Sequence, residues 1–181
     1  MKYQYPHTID NGHGEKITFL RLVSDPAGDY LELENVVAPN AGPPMHVHFQ
    51  QDEALTVVQG KIATQVFGEA AQFFGPGESV VFKAGVPHKF WNPGSEPLIC
   101  TGWIKPAHNI EYFLTEIYRS TTANNGRPGA FDSAWLLRRY GSEFDILDVP
   151  AFVKKVIFPV ALFFGVLTGK SKKFTNAPIP R

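Results

Sequence analysis

The chain has one cysteine, Cys100, among 181 residues. An internal disulfide is therefore impossible, and nothing in the cysteine usage points to an oxidising compartment. The chain also has no excess charge, since Lys+Arg and Asp+Glu are equal at 17 each. Non-specific phosphate binding needs clustered positive charge, so nucleic acid is not an expected partner. Long hydrophobic runs are missing as well. The longest, Val156 to Leu167 (VIFPVALFFGVL), falls short of the roughly 20 apolar residues that span a bilayer, and Pro159 and Gly165 interrupt it. The opening MKYQYPHTIDNGHGEK has no apolar secretory core, and a cytoplasmic location is expected. Internal repeats and low-complexity tracts are absent.

What is present is ordinary globular material, with 44% hydrophobic and 19% charged residues. From Glu15 to about Lys105 the chain breaks into short β-type runs such as KITFLRLV, DYLELENVV, EALTVVQ, KIATQVFG, ESVVF and PLICTGWIK, punctuated by PNAGPP, GPGE and NPGSEP. That rhythm predicts a sandwich or barrel. In YLELENVV the residues Leu31, Leu33, Asn35 and Val37 share one face and Glu32 and Glu34 the other, the pattern of a half-buried strand. Arg21 shares a face with Ile17 and Phe19; exposure at a strand edge is its favoured reading, and holding an acidic substrate the other.

After Pro106 the texture changes. NIEYFLTEIYRS places Ile110, Phe113, Leu114 and Ile117 at helical spacing behind a capping Asn109. FDSAWLLRRYG reads as a helix capped by Asp132, and DVPAFVKKVIFPVALFFGVLTG as an apolar helical segment bent at Pro159. The expected division is an all-β unit over residues 1–106 and a helical extension over 107–181, packed on the barrel or at a dimer interface. Lysines flank the apolar tail, so docking on a membrane surface is the other reading of it.

The chemistry concentrates in GPPMHVHFQQDEALTVVQG, Gly42 to Gly60. Strand side chains at i and i+2 point the same way, so His46 and His48 converge while Val47 turns away. Glu53 follows a short connection and shares a face with Leu55 and Val57; a tight hairpin at Gln59–Gly60 is expected to set Ile62, Thr64 and Val66 opposite them as a pocket wall. His88 lies further on among turn residues, two before Phe90 and four before Asn92. Three imidazoles and a carboxylate suit one divalent transition ion (Fe, Mn, Ni, Cu, Co or Zn), whereas thiolate-rich or oxygen-rich sets favour other ions. Leu55, Thr64, Phe90 and Asn35 are the expected pocket-lining residues, with Gln65 as a further polar contact. Asn92 fits a turn, and His7, His13 and His108 fit surface loops.

These residues resemble the cupin superfamily. Its first motif is matched by Gly42, His46, His48, Glu53 and Gly60, with a short spacer PPM; its second is matched by Gly77, Gly85, His88 and Asn92, with Lys83 where the family has Pro. Asp52 also satisfies a looser spacing after His48, but the six residues to Gly60 favour Glu53. The resemblance implies a double-stranded β-helix, or jelly roll, with His46, His48, Glu53 and His88 as metal ligands at its mouth. The arrangement is similar to that of small single-domain bacterial cupins with a helical tail. It implies a small-molecule ligand in the barrel of a homodimer and dioxygenase chemistry, with an isomerase or lyase as the neighbouring possibility and a noncatalytic binding module as the alternative from another class.

Overall fold

The computed structural model describes residues 3–181. The β-type runs form eleven strands. These are β1 (His7–Asp10), β2 (Glu15–Val23), β3 (Tyr30–Val37), β4 (His46–His48), β5 (Asp52–Gln59), β6 (Ile62–Val66), β7 (Gln72–Phe74), β8 (Ser79–Phe82), β9 (His88–Trp91), β10 (Leu98–Lys105) and β11 (Phe144–Ile146). They assemble into a six-stranded sheet, β1-β2-β3-β10-β5-β8, and a five-stranded sheet, β11-β4-β9-β6-β7. Adjacent strands are antiparallel throughout. The fold is a mostly-β double-stranded β-helix with helices at its C-terminal side.

Burial of alternate residues holds the two sheets face to face. In β3 every second residue, Leu31, Leu33, Asn35 and Val37, is buried as the alternation predicts. Phe19, Ile62, Leu98 and Cys100 meet them in the interior. Burial pushes the Cys100 thiol up to about 12, which leaves it an inert apolar filler.

The connection after β5 departs from expectation. Gly60 does turn the chain, with φ +83, but β5 pairs with β10 and β8 whereas β6 pairs with β7 and β9. The turn thus carries the chain from one sheet to the other and does not close a hairpin. A tight glycine turn serves both purposes, so local chemistry does not distinguish them. Arg21 is exposed, the favoured of its two readings. A register shift between Phe19 and Arg21 puts one extra residue into β2, so Leu20, Arg21 and Leu22 are all exposed, and Arg21 pairs with Glu32 at 2.6 Å. It takes no part in the interior.

Three helices follow: α1 (Ile110–Ala123), α2 (Ala130–Arg139) and α3 (Phe158–Leu167). Asn109 stands at the start of α1, but its side chain does not cap the helix; it donates instead to Glu143 at 2.6 Å and to the Ile179 carbonyl. Asp132 lies inside the first turn of α2, whose cap position is Gly129, and accepts from Ser120 at 2.7 Å. The irregularity expected at Pro159 lies just upstream, as a π-helical turn over Val153–Ile157. Proline has no N–H and its ring crowds the carbonyl four residues back, so the preceding turn widens. His7 is not in a loop but in β1, where its Nδ1 lies 2.8 Å from Glu111 on α1. The buried Glu143 accepts from Asn109 and from the Arg181 backbone, tying the start of α1 to the end of the chain.

Candidate metal centre

His46 and His48 alternate with Val47 along β4, as strand geometry requires. The register sets His46 of β4 directly opposite His88 of β9, so two imidazoles arrive on the same face of the five-stranded sheet. Glu53 comes from β5 in the other sheet. Together His46, His48, Glu53 and His88 each offer a ligand atom, all within 4.8 Å of one another.

Local backbone contacts aim the rings. His46 Nδ1 lies 2.8 Å from the Pro44 carbonyl and His88 Nδ1 lies 2.8 Å from the Val86 carbonyl, in each case two residues back. A carbonyl only accepts, so each Nδ1 carries a proton and each Nε2 is left facing inward. His88 Nε2 and His48 Nε2 stand 3.4 Å and 3.7 Å from the same oxygen of Glu53. Gly42 is the first residue of the matched motif because the backbone passes so close to β9 that a Cβ there would strike the Phe90 carbonyl.

The electrostatics favour ligation. Burial pushes the His48 imidazole down to about 3, and His46 is lowered for the same reason, with neighbouring His88 adding to it. Burial alone would raise Glu53, but the hydrogen bond with His88 and the neighbouring imidazoles outweigh it and hold the carboxyl at about 2. Neutral His46 and His48 beside the Glu53 carboxylate are protonation states that suit a divalent ion. Both the donor set and its convergence fit such an ion.

Asp52, the rival carboxylate, points away: it pairs with Lys83 at 2.7 Å and accepts from the Ala84 backbone. Lys83, which stands where the resemblance expects proline, thus fastens the turn before β9 to the start of β5. Asn92 is structural, donating to the Val37 and Glu96 carbonyls and accepting from Gly94.

The cluster opens into a cavity of about 420 Å³. Leu55, Phe90 and Asn35 line it, as expected from the sequence. Thr64 and Gln65 do not. Thr64 is buried opposite Phe90, whose larger ring is the one that reaches the space, and Gln65 donates to the Glu69 carbonyl. His13 is exposed, but it stands at the cavity's edge.

The sequence reading missed a second polar group in the cavity wall. Glu15, buried at the start of β2, receives a 3.4 Å hydrogen bond from Asn35 Nδ2 and faces Tyr118 of α1. Burial raises its carboxyl above the usual range; Tyr118 and Asn35 offset part of the rise and nearby Glu53 adds to it. Asn35 is 3% exposed, and its Oδ1 has no hydrogen-bond partner within the protein. The available signal was phase, because Glu15 is two before Ile17 on the inward face of β2. An apolar wall was also missed: Phe113, Leu114 and Ile117 of α1 and Phe144 of β11 line the cavity, and Phe144 packs edge-on against His48.

Residues 34–104 match the family model of the cupin domain. An oxidoreductase from Pestalotiopsis fici is 33% identical over 87 residues, covering 47% of this chain and 43% of that protein. A probable oxidoreductase from Hypocrea virens is 34% identical over 68 residues, covering 36% and 31%. The chain thus spans less than half the length of these relatives. Among solved structures, a conserved protein with a double-stranded β-helix domain from Klebsiella pneumoniae is 21% identical with a TM-score of 0.42, covering 48% of this chain and 70% of that one. Cupins commonly bind a metal, and His46, His48, Glu53 and His88 are the residues here that could hold one. With two antiparallel sheets around that cluster and the family match over residues 34–104, this part of the chain is a cupin domain.

Proposed function

We propose that this cupin holds one divalent transition ion through His46, His48, Glu53 and His88 and oxidises a small, largely apolar organic molecule in the cavity above it. The observation that carries the reading is the convergence of three imidazoles and a carboxylate at one end of a cavity large enough for such a molecule. The two relatives named as oxidoreductases support the reaction class.

When bound, a redox-active ion supplies Lewis acidity and a centre at which dioxygen can react. The reaction type proposed is dioxygenation, in which both oxygen atoms enter the organic molecule and no other reductant is consumed. The chain's own residues set what can bind. Along the six-stranded sheet the registers place the Leu33–Gly102–Leu55 row between the row of Asn35 and the row of Glu53. A ligand that fits has an apolar body over Leu33, Leu55 and Phe90, one polar group at the metal cluster and a hydrogen-bond donor that satisfies Asn35 Oδ1. Glu15, held by Asn35 and Tyr118, fixes that amide's orientation. Phe113, Leu114 and Ile117 exclude water from the apolar middle.

Metal analysis of the purified protein tests the site: His46→Ala and His88→Ala each lose the bound ion, and full metal content in both variants would end the assignment. Oxygen uptake with a panel of diketones, flavonols and hydroxy acids tests the reaction. Consumption that disappears in His88→Ala supports the dioxygenase. A silent panel with metal retained leaves a noncatalytic binding protein.

A further inference from the structure

The C-terminal segment is not absorbed by the barrel or its cavity. Residues 151–167 are helical throughout, a span of about 25 Å at 1.5 Å per residue. Only Phe158 and Gly165 are buried, and Gly165 faces α2 so closely that a Cβ would collide with the Phe131 ring. The opposite side is bare. Phe152, Val156, Val160, Phe163 and Leu167, spaced four, four, three and four apart, make a stripe along the helix, and Phe152, Phe163 and Leu167 are each more than 60% exposed. An apolar face of this kind marks an interaction surface.

Charge identifies what covers it. Past Asp148 the chain has six Lys/Arg and no Asp or Glu, whereas residues 1–148 have eleven Lys/Arg and seventeen Asp/Glu. Lys154 is tied to Asp145 and Lys173 to Asp132, but Lys155, Lys170 and Lys172 are exposed at the two ends of the stripe. A second copy docking face to face would set these lysines against their own counterparts, with no carboxylate on the segment to answer them. Spanning is ruled out for this helix, because no helix among the described residues is long and apolar enough to cross a membrane.

We propose that residues 151–173 dock on an anionic bilayer surface. The helix lies in the membrane plane with the stripe of Phe152, Val160, Phe163 and Leu167 among the acyl chains and Lys155, Lys170 and Lys172 at the lipid phosphates. The metal cluster plays no part in this contact.

Flotation of the full chain with vesicles tests the proposal. The protein floats with phosphatidylcholine vesicles containing about one-third phosphatidylglycerol and stays at the bottom with phosphatidylcholine alone. Replacing Lys155, Lys170 and Lys172 by Gln weakens partitioning about 100-fold, at about fivefold per lysine. Phe163→Ser with Leu167→Ser weakens it at least about tenfold. Raising salt from about 0.05 M to about 0.5 M releases the wild-type protein, an arm that depends on no variant folding correctly. Wild-type protein that ignores anionic vesicles overturns the proposal. So does a dimer in sedimentation that Phe163→Ser and Leu167→Ser dissociate while flotation is absent, which would make the stripe an interface between copies.

Discussion

Phe82 and His88 stack with ring centroids 3.9 Å apart and planes 5° from parallel. The two come from different sheets, and Phe82 sits directly opposite Glu53 in the pairing of β5 with β8. The phenyl ring therefore sets the plane of one candidate ligand while it flanks another. Phe82→Leu keeps the volume nearly apolar but frees the imidazole to tilt. It should lower metal affinity about tenfold, measured by competition with a chromogenic chelator, with a stability cost of about 1 kcal/mol. Unchanged affinity would show that the Val86 carbonyl alone holds the ring.

The metal-free protein should be acid-labile. His48 is pushed from 6.5 to about 3, so between these values the folded chain binds fewer protons than the unfolded one. Its contribution is fully present above pH 6.5 and is lost as pH falls toward about 3. Glu53, held at about 2 against an ordinary 4.5, acts in the same direction at lower pH. Thermal melts across this range should fall steeply for wild-type protein and less steeply for His48→Gln. Parallel curves would remove His48 as the cause.

Glu15 carries the opposite sign. Its folded value is raised, so its contribution is present below the ordinary 4.5 and is lost as pH rises through the folded value. The groups that face it are Asn35, Tyr118 and, through the cavity, Glu53. Glu15→Gln should be more stable than wild-type protein at neutral pH by on the order of 1 kcal/mol, with the gap closing in acid. A variant destabilised equally at both pH values would mean that the hydrogen bonds outweigh the buried charge.

Gly165 tests how α3 is held. An added methyl would enter the Phe131 ring, so Gly165→Ala should lift α3 from α2 at a cost of about 1–3 kcal/mol. Hydrogen exchange over residues 158–167 should then accelerate while β4 and β9 stay protected. Unchanged exchange would show that Phe158 suffices as the anchor.

Much of the barrel was legible because it rests on period-two burial: the phase of Leu31 to Val37 and of His46 to His48 is written locally. The pairing of strands is not. The glycine turn at Gly60 is compatible with a hairpin or with a crossing between sheets, and only the placement of β10 and β9 decides. Arg21 leaves the face of Ile17 and Phe19 because a single extra residue in β2 breaks the alternation after Phe19. Glu15 was overlooked because its burial depends on Tyr118, more than one hundred residues away, closing over it. The short strand β11 has three residues and no alternation to read.

His46, His48 and His88 stand on the five-stranded sheet and Glu53 on the six-stranded one. An ion bound by all four would therefore bolt one sheet to the other, a reversible counterpart of the inter-sheet disulfide that a chain with one cysteine cannot make. Unfolding would require releasing that bolt, so resistance to heat would climb with the logarithm of free ion concentration, by about 2.7 kcal/mol at a hundredfold excess over the dissociation constant. Metal supply would then set how long each molecule survives as well as what it can do.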